Sequence, residues 1–301
     1  ILDCIGNKMI TINTLIELPS IPEYNDLLWN EILFNPKSGG SDYVEIYNNS
    51  NKLLSLEQLY ISNPAWQNNW IKINNDKLIY PHTYLALTSN KKNTIESYPN
   101  SDSSLILESS LPVLDDDKGT LVLAYFNKTS FKLIDSFSYE KTWHNPLLTL
   151  TEGISLEKIN PSFVSDKAQN WQSASKQIDY GSPGLKNSQF IDSFLNDKQK
   201  LYQILNSTVS PNQDGFQDVL SIQFNLDLAG YKINAEIYNL SGFLVKTLSQ
   251  DLIGTHDIIH WYGEDNKNKP VFSGNYILNL ILIQPNGSKK HFRENIKVDN
   301  N

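Results

Sequence analysis

Short apolar runs of period two, broken by turn clusters every eight to fifteen residues, constrain this chain more than any other feature. In Leu121–Tyr125 the residues Leu121, Leu123 and Tyr125 face one way and Val122 and Ala124 the other. Leu27–Phe34, Tyr43–Tyr47, Tyr84–Thr88 and Leu133–Phe137 are runs of the same kind. Between them stand Asn35-Pro36 with Ser38-Gly39-Gly40, Asn48 to Asn51, Asn74-Asn75-Asp76, and Asp115-Asp116-Asp117 before Gly119, all rich in turn formers. No 3.6-residue repeat of useful length competes, so the spacing predicts an all-β fold of packed sheets.

The pattern breaks at 189–200 and resumes beyond it. Leu220, Ile222, Phe224 and Leu226 line one strand face, and Ile233, Ala235 and Ile237 the next. Tyr276, Leu278, Leu280 and Leu282 line a later strand that carries Ile277 and Ile281 on its other face, and a strand apolar on both faces belongs in the middle of a sheet. Length supports two units, at roughly 100–200 residues per domain. The expected division is a last strand of an upstream repeat and a linker at 1–20, a sandwich at 21–188, a linker at 189–200 and a second sandwich at 201–301.

Composition excludes several function classes. The 33 acidic residues against 25 basic ones give a net charge of −8, and Arg293 is the sole arginine. A phosphate-reading surface wants clustered Arg and Lys, so no nucleic-acid partner is expected. No apolar run is long enough to predict a membrane span. With Cys4 the only cysteine, no internal disulfide is expected. No nucleophile elbow, P-loop or dinucleotide-binding glycine pattern occurs, so no catalytic residue is assigned and the chain is read as non-enzymatic. Because it opens mid-pattern at Ile1-Leu2-Asp3, it is expected to be the C-terminal portion of a longer exported protein.

Two ordered motif series carry a family resemblance. The first comprises Asn30-Glu31-Ile32-Leu33-Phe34-Asn35-Pro36, Tyr43–Asn48, Asp115–Gly119, Ile134–Tyr139 before Trp143-His144, Gly153–Lys158, Asn170–Ala174 and Gly181–Ser188. It resembles a bacterial lamin-tail domain over roughly residues 24–188, with Lys158 where that family usually has Arg and Ser182 where it usually has Thr. The second comprises Ser210–Asp218, Ile237–Gly242, Trp261-Tyr262-Gly263 and Phe272–Tyr276. It resembles a FlgD-like domain over about 201–298, with Tyr262 where that family usually has Asp. The resemblance implies two consecutive immunoglobulin-like sandwiches of a secreted or surface protein. It also implies extracellular macromolecules as partners, and a C-terminal domain of the sort used in type IX secretion as export or anchoring signal. An alternative it leaves open is an accessory tail of an upstream secreted hydrolase such as a nuclease.

Few side chains suggest ligand chemistry. Asn212, Asp214 and Asp218 flank Gly215 and could hold Ca²⁺, which takes six to eight oxygens; their glycine is misplaced for an EF-hand, and bracing of the turn by their own side chains competes. No other cofactor is indicated. Trp66 and Trp70 stand among amides in a polar segment, which suits stacking on a polysaccharide; anchoring of the loop onto the sandwich competes. Glu31, on an alternating strand with Trp29 and Leu33, is expected to be a partly buried, hydrogen-bonded carboxylate. Its use as a catalytic acid would need a second carboxylate that no motif supplies. Trp171 is expected to close the core with one partner for its indole N–H. His144 is expected to cap a backbone carbonyl. His256 and His260, four apart on a strand, would lie about 13 Å apart and cannot share a metal.

Overall fold

The computed structural model describes residues 18–63, 69–73, 77–191, 200–211 and 218–299. Its first half contains β1 (Leu27–Leu33), β2 (Tyr43–Asn48), β3 (Leu54–Ser55), β4 (Leu59–Ser62), β5 (Ile71–Lys72), β6 (Leu78–Ile79) and β7 (Tyr84–Thr88). A short helix α1 (Lys91–Ser97) follows, then β8 (Ile106–Glu108), β9 (Lys118–Phe126), β10 (Phe131–Glu140), β11 (Leu156–Lys158) and β12 (Trp171–Ser173). One sheet has the order β12-β11-β1-β2-β7-β8, the other β10-β9-β4-β5, with β3 and β6 as a separate ribbon. A single apolar cluster joins the two larger sheets, with Trp29, Ile32, Val44 and Ile46 from one and Leu59, Leu121, Leu123 and Phe137 from the other. The fold is an all-β sandwich. Trp171 stacks on Phe137 at 4.4 Å, and its indole N–H donates to Ser165 O at 2.7 Å, which is the partner the core position required.

Helix α1 has no counterpart in the sequence reading, because seven residues are too few to display a helical period. It starts where the Asn90 side chain accepts from Asn93 N, a cap that satisfies one orphan N–H of the first turn.

Strand β1 departs from simple alternation. Its ladder with β2 shifts between Trp29 and Glu31, and this bulge reverses which residues point inward. Trp29, Ile32 and Phe34 all enter the main core, while Leu33 joins Tyr43 and Tyr98 in a small cluster on the opposite face. Glu31 therefore shares its face with Leu33 but not with Trp29.

The second half contains β13 (Tyr202–Ile204), β14 (Thr208–Val209), β15 (Leu220–Phe224), β16 (Lys232–Asn239), β17 (Leu244–Ser249), β18 (Ile258–Trp261), β19 (Gly274–Ile283) and β20 (Lys289–Val298). Sheets β13-β15-β18 and β14-β20-β19-β16-β17 enclose a core of their own. Strand β19, apolar on both faces, lies between β16 and β20 as its composition demands. Tyr262 is exposed and its N–H donates to the Glu264 carboxylate.

The first residues of the expected linker at 189–200 bond to the second sandwich. Gln189 is wholly buried; its side chain accepts from Gly230 N at 2.9 Å and donates to Ile253 O at 3.3 Å. Thr255 N donates to Ser188 O, and Thr255 Oγ1 to Phe190 O at 2.6 Å. Further bonds run from Asn145 Nδ2 to Gly230 O, Ser175 Oγ to Asp257 and Tyr180 OH to Asp251. These residues dock the sandwiches because buried amides without partners would cost more than the ordering of the segment. Residues 192–199 lie outside the described residues.

Candidate functional site

Three glutamates stand side by side on neighbouring strands. The register pairs Glu31 of β1 with Glu157 of β11 on one side and with Glu45 of β2 on the other. All three are 0% exposed. Sequence reasoning found Glu31 and missed its two companions. The only local signal was a glutamate inside an apolar alternation, in Val44-Glu45-Ile46 and Leu156-Glu157, which is costly for a carboxylate unless it is held.

Each carboxylate is held by hydrogen-bond donors. Glu31 Oε1 accepts from Tyr43 OH at 2.7 Å, Ser155 Oγ at 2.5 Å and Ser182 N at 2.9 Å, and its Oε2 from Ser182 Oγ at 3.0 Å. Glu45 accepts from Asn30 Nδ2 at 2.8 Å and Gly184 N at 2.6 Å. Glu157 Oε2 accepts from Ser188 Oγ at 2.8 Å and Gln189 N at 2.9 Å, while its Oε1 lies 2.8 Å from Ser182 Oγ. None of these partners is a cation. Burial pushes all three carboxyls up, and mutual repulsion adds to it for Glu45 and Glu157, the latter reaching about 8.

The donors come largely from one strap, Gly181 to Gln189, laid across the sheet. Gly181 permits the close approach: a Cβ there would meet Tyr98 Cε1 at 2.5 Å and Tyr43 Oη at 2.6 Å. Asn187 fills the gap left by the bulge. Its Oδ1 accepts from Asn30 Nδ2 at 2.7 Å, and its Nδ2 donates to Asn30 O at 3.0 Å and Lys158 O at 2.9 Å. The separate motifs Asn30-Glu31, Tyr43–Asn48, Gly153–Lys158 and Gly181–Ser188 are thus parts of one buried network.

A second network lies on the core side of β11. Lys158 Nζ donates to Ser165 Oγ at 2.6 Å, and that hydroxyl donates to Asp135 Oδ2 at 2.9 Å, which also accepts from Trp29 N at 2.8 Å. Burial pulls the Lys158 ammonium down to about 8, against the attraction of Asp135.

The other sequence candidates fare differently. Asn212 and Asp214 lie outside the described residues, as does Trp66; Asp218 is described, half-buried just before β15. Among the described residues no group of three or more His, Cys, Asp and Glu side chains is arranged to hold a metal ion. Trp70 stacks on Phe131 at 4.1 Å and 15°, which commits one ring face to the protein. His144 does not cap a carbonyl: its Nδ1 pairs with Ser173 Oγ at 2.9 Å, and burial pulls it down to about 4. His260 of β18 pairs with Ser221 Oγ of the neighbouring β15, and His256, which lies before β18 and not on the strand expected, pairs with Thr255 Oγ1 beside it in the chain.

No family model matches the chain, and no curated protein matches it. Among solved structures it is similar to CopC from Methylosinus trichosporium OB3b, at 14% identity and a TM-score of 0.21 over 32% of this chain and 84% of that one. It is also similar to dimeric latent PorU from Porphyromonas gingivalis, at 9% identity and a TM-score of 0.27 over 91% of this chain. The chain spans 20% of the length of that PorU. Superpositions this loose leave the class, an all-β sandwich protein, to rest on the strands themselves. No described helix is long and apolar enough to cross a membrane.

Proposed function

We propose that this chain is a non-enzymatic structural and interaction region of a secreted or cell-surface bacterial protein. Its two sandwiches act as a docked spacer for extracellular macromolecules, and the C-terminal one serves as an export or anchoring domain. One observation carries the reading: the row of carboxylates that the motifs build among the described residues is 0% exposed and engaged by internal donors. Groups so placed hold chain segments together and have no face for a substrate. The ordered lamin-tail and FlgD-like motifs support the same reading and bring with it the type IX secretion route. Fusion of residues 200–301 to a reporter tests the sorting role. Reporter at the cell surface or in the medium is expected; reporter held in the periplasm overturns the export assignment.

A further inference from the structure

Ser182 Oγ lies 3.0 Å from Glu31 Oε2 and 2.8 Å from Glu157 Oε1. A hydroxyl has one proton to donate, so it serves one carboxylate. The other contact is a hydrogen bond only if that carboxyl carries a proton and donates it to Ser182 Oγ. With both ionised, two buried anions face one oxygen across a site that contains no cationic partner.

Glu157 is also where the strap meets the second sandwich. Its Oε2 holds Ser188 Oγ and Gln189 N, and the next links are Gln189 to Gly230 and Ile253 and Ser188 O to Thr255. We propose that a proton shared by Glu31 and Glu157 through Ser182 latches the strap at 181–189, and that its loss loosens the docking of the two sandwiches.

The groups around the latch favour that proton. Glu45 adds a third carboxylate from β2. Tyr43 OH donates to Glu31, and Tyr98, packed edge-on against Tyr43, donates to Gly153 O. Tyr84 of β7 is held neutral by burial and by the glutamates nearby. Lys186 of the strap points away, over the Phe190 ring. Across the junction stand Asp257, Asp251 with Lys176, and His256 beside Thr255. The sign follows from proton counting: the latched state binds a proton that the released state gives up, so latching is complete in acid and weakens as pH rises towards about 8, where burial places Glu157.

Pulsed EPR on the full chain reads the latch directly, with spin labels at Lys132→Cys and Asn295→Cys in a Cys4→Ser background; both label sites are exposed. A narrow interspin distance is expected at pH 5, with a second, broader population rising by up to about tenfold per pH unit towards pH 8 and levelling off beyond it. Glu31→Gln should stay narrow throughout: an amide nitrogen at the Oε2 place donates to Ser182 Oγ and has no proton to lose in this range, while Oε1 keeps its three donors. Glu157→Gln makes the same substitution from the other side and serves should the first variant fold poorly. A wild-type distribution that is unchanged from pH 5 to pH 9, or variants that broaden as wild type does, would overturn the latch.

Discussion

Replacing Asn187 with alanine isolates the cost of bridging the β1 bulge. The bulge leaves Asn30 without a ladder partner on β2, and the β1–β11 pairing ends at Glu157, short of Lys158. The Asn187 amide supplies what the backbone cannot, through bonds of 2.7, 3.0 and 2.9 Å in a site where it is only 5% exposed. At about 1 kcal/mol net per bond, with two carbonyls then left unmatched, Asn187→Ala should cost about 3–4 kcal/mol. For a slope of about 2 kcal/mol/M this lowers the urea midpoint by about 1.5–2 M, measured by near-UV circular dichroism. Asn187→Asp should be worse than alanine, since it turns a second oxygen towards the Asn30 and Lys158 carbonyls. A midpoint shift below about 0.5 M, or an aspartate variant milder than alanine, would show that water or a rearranged strap replaces the amide and that the bulge does not depend on it.

Three further outcomes are expected. His144 has a folded value near 4 against an ordinary 6.5, so it contributes stability that is complete above pH 6.5 and lost as pH falls through 4. His144→Gln should remove about 3 kcal/mol of the acid-side loss, read as the difference between the two pH–stability curves; parallel curves would refute it. Trp70→Ala should lower stability by about 1 kcal/mol through the lost Phe131 stack and leave retention on insoluble polysaccharide unchanged, whereas loss of retention would favour the sugar-stacking reading. Gly230 has φ +80 and bonds across the junction through both its N–H and its C=O. Gly230→Ala would drive a Cβ into the Gln172 amide, so solution scattering should show a larger radius of gyration with each sandwich's circular dichroism retained; an unchanged radius would mean that the junction tolerates the strain.

Much of the fold was legible because strand formation is written locally. Tyr84–Thr88 forms the strand its alternation predicts, Leu121 and Leu123 face the core together, and the doubly apolar strand at 274–283 is central. Glu31 shows the limit. Its burial was foreseeable, but its face was not, because one bulged residue reverses the alternation and no propensity marks where the bulge falls. Tyr262 shows another: its exposure and the bond from its N–H to the Glu264 carboxylate are found only in space.

By itself the sequence determined the all-β class, the faces that unbulged strands turn to each core and many of the turns between strands, since these depend on neighbours within a few residues. Tertiary structure alone decided that Glu31, Glu45 and Glu157 lie in one row, that Ser182 stands between two of them, and that Ser188 and Gln189 bind the second sandwich. Those facts depend on register between strands distant in the chain, and on burial, which sets the protonation of a carboxyl as no local pattern can.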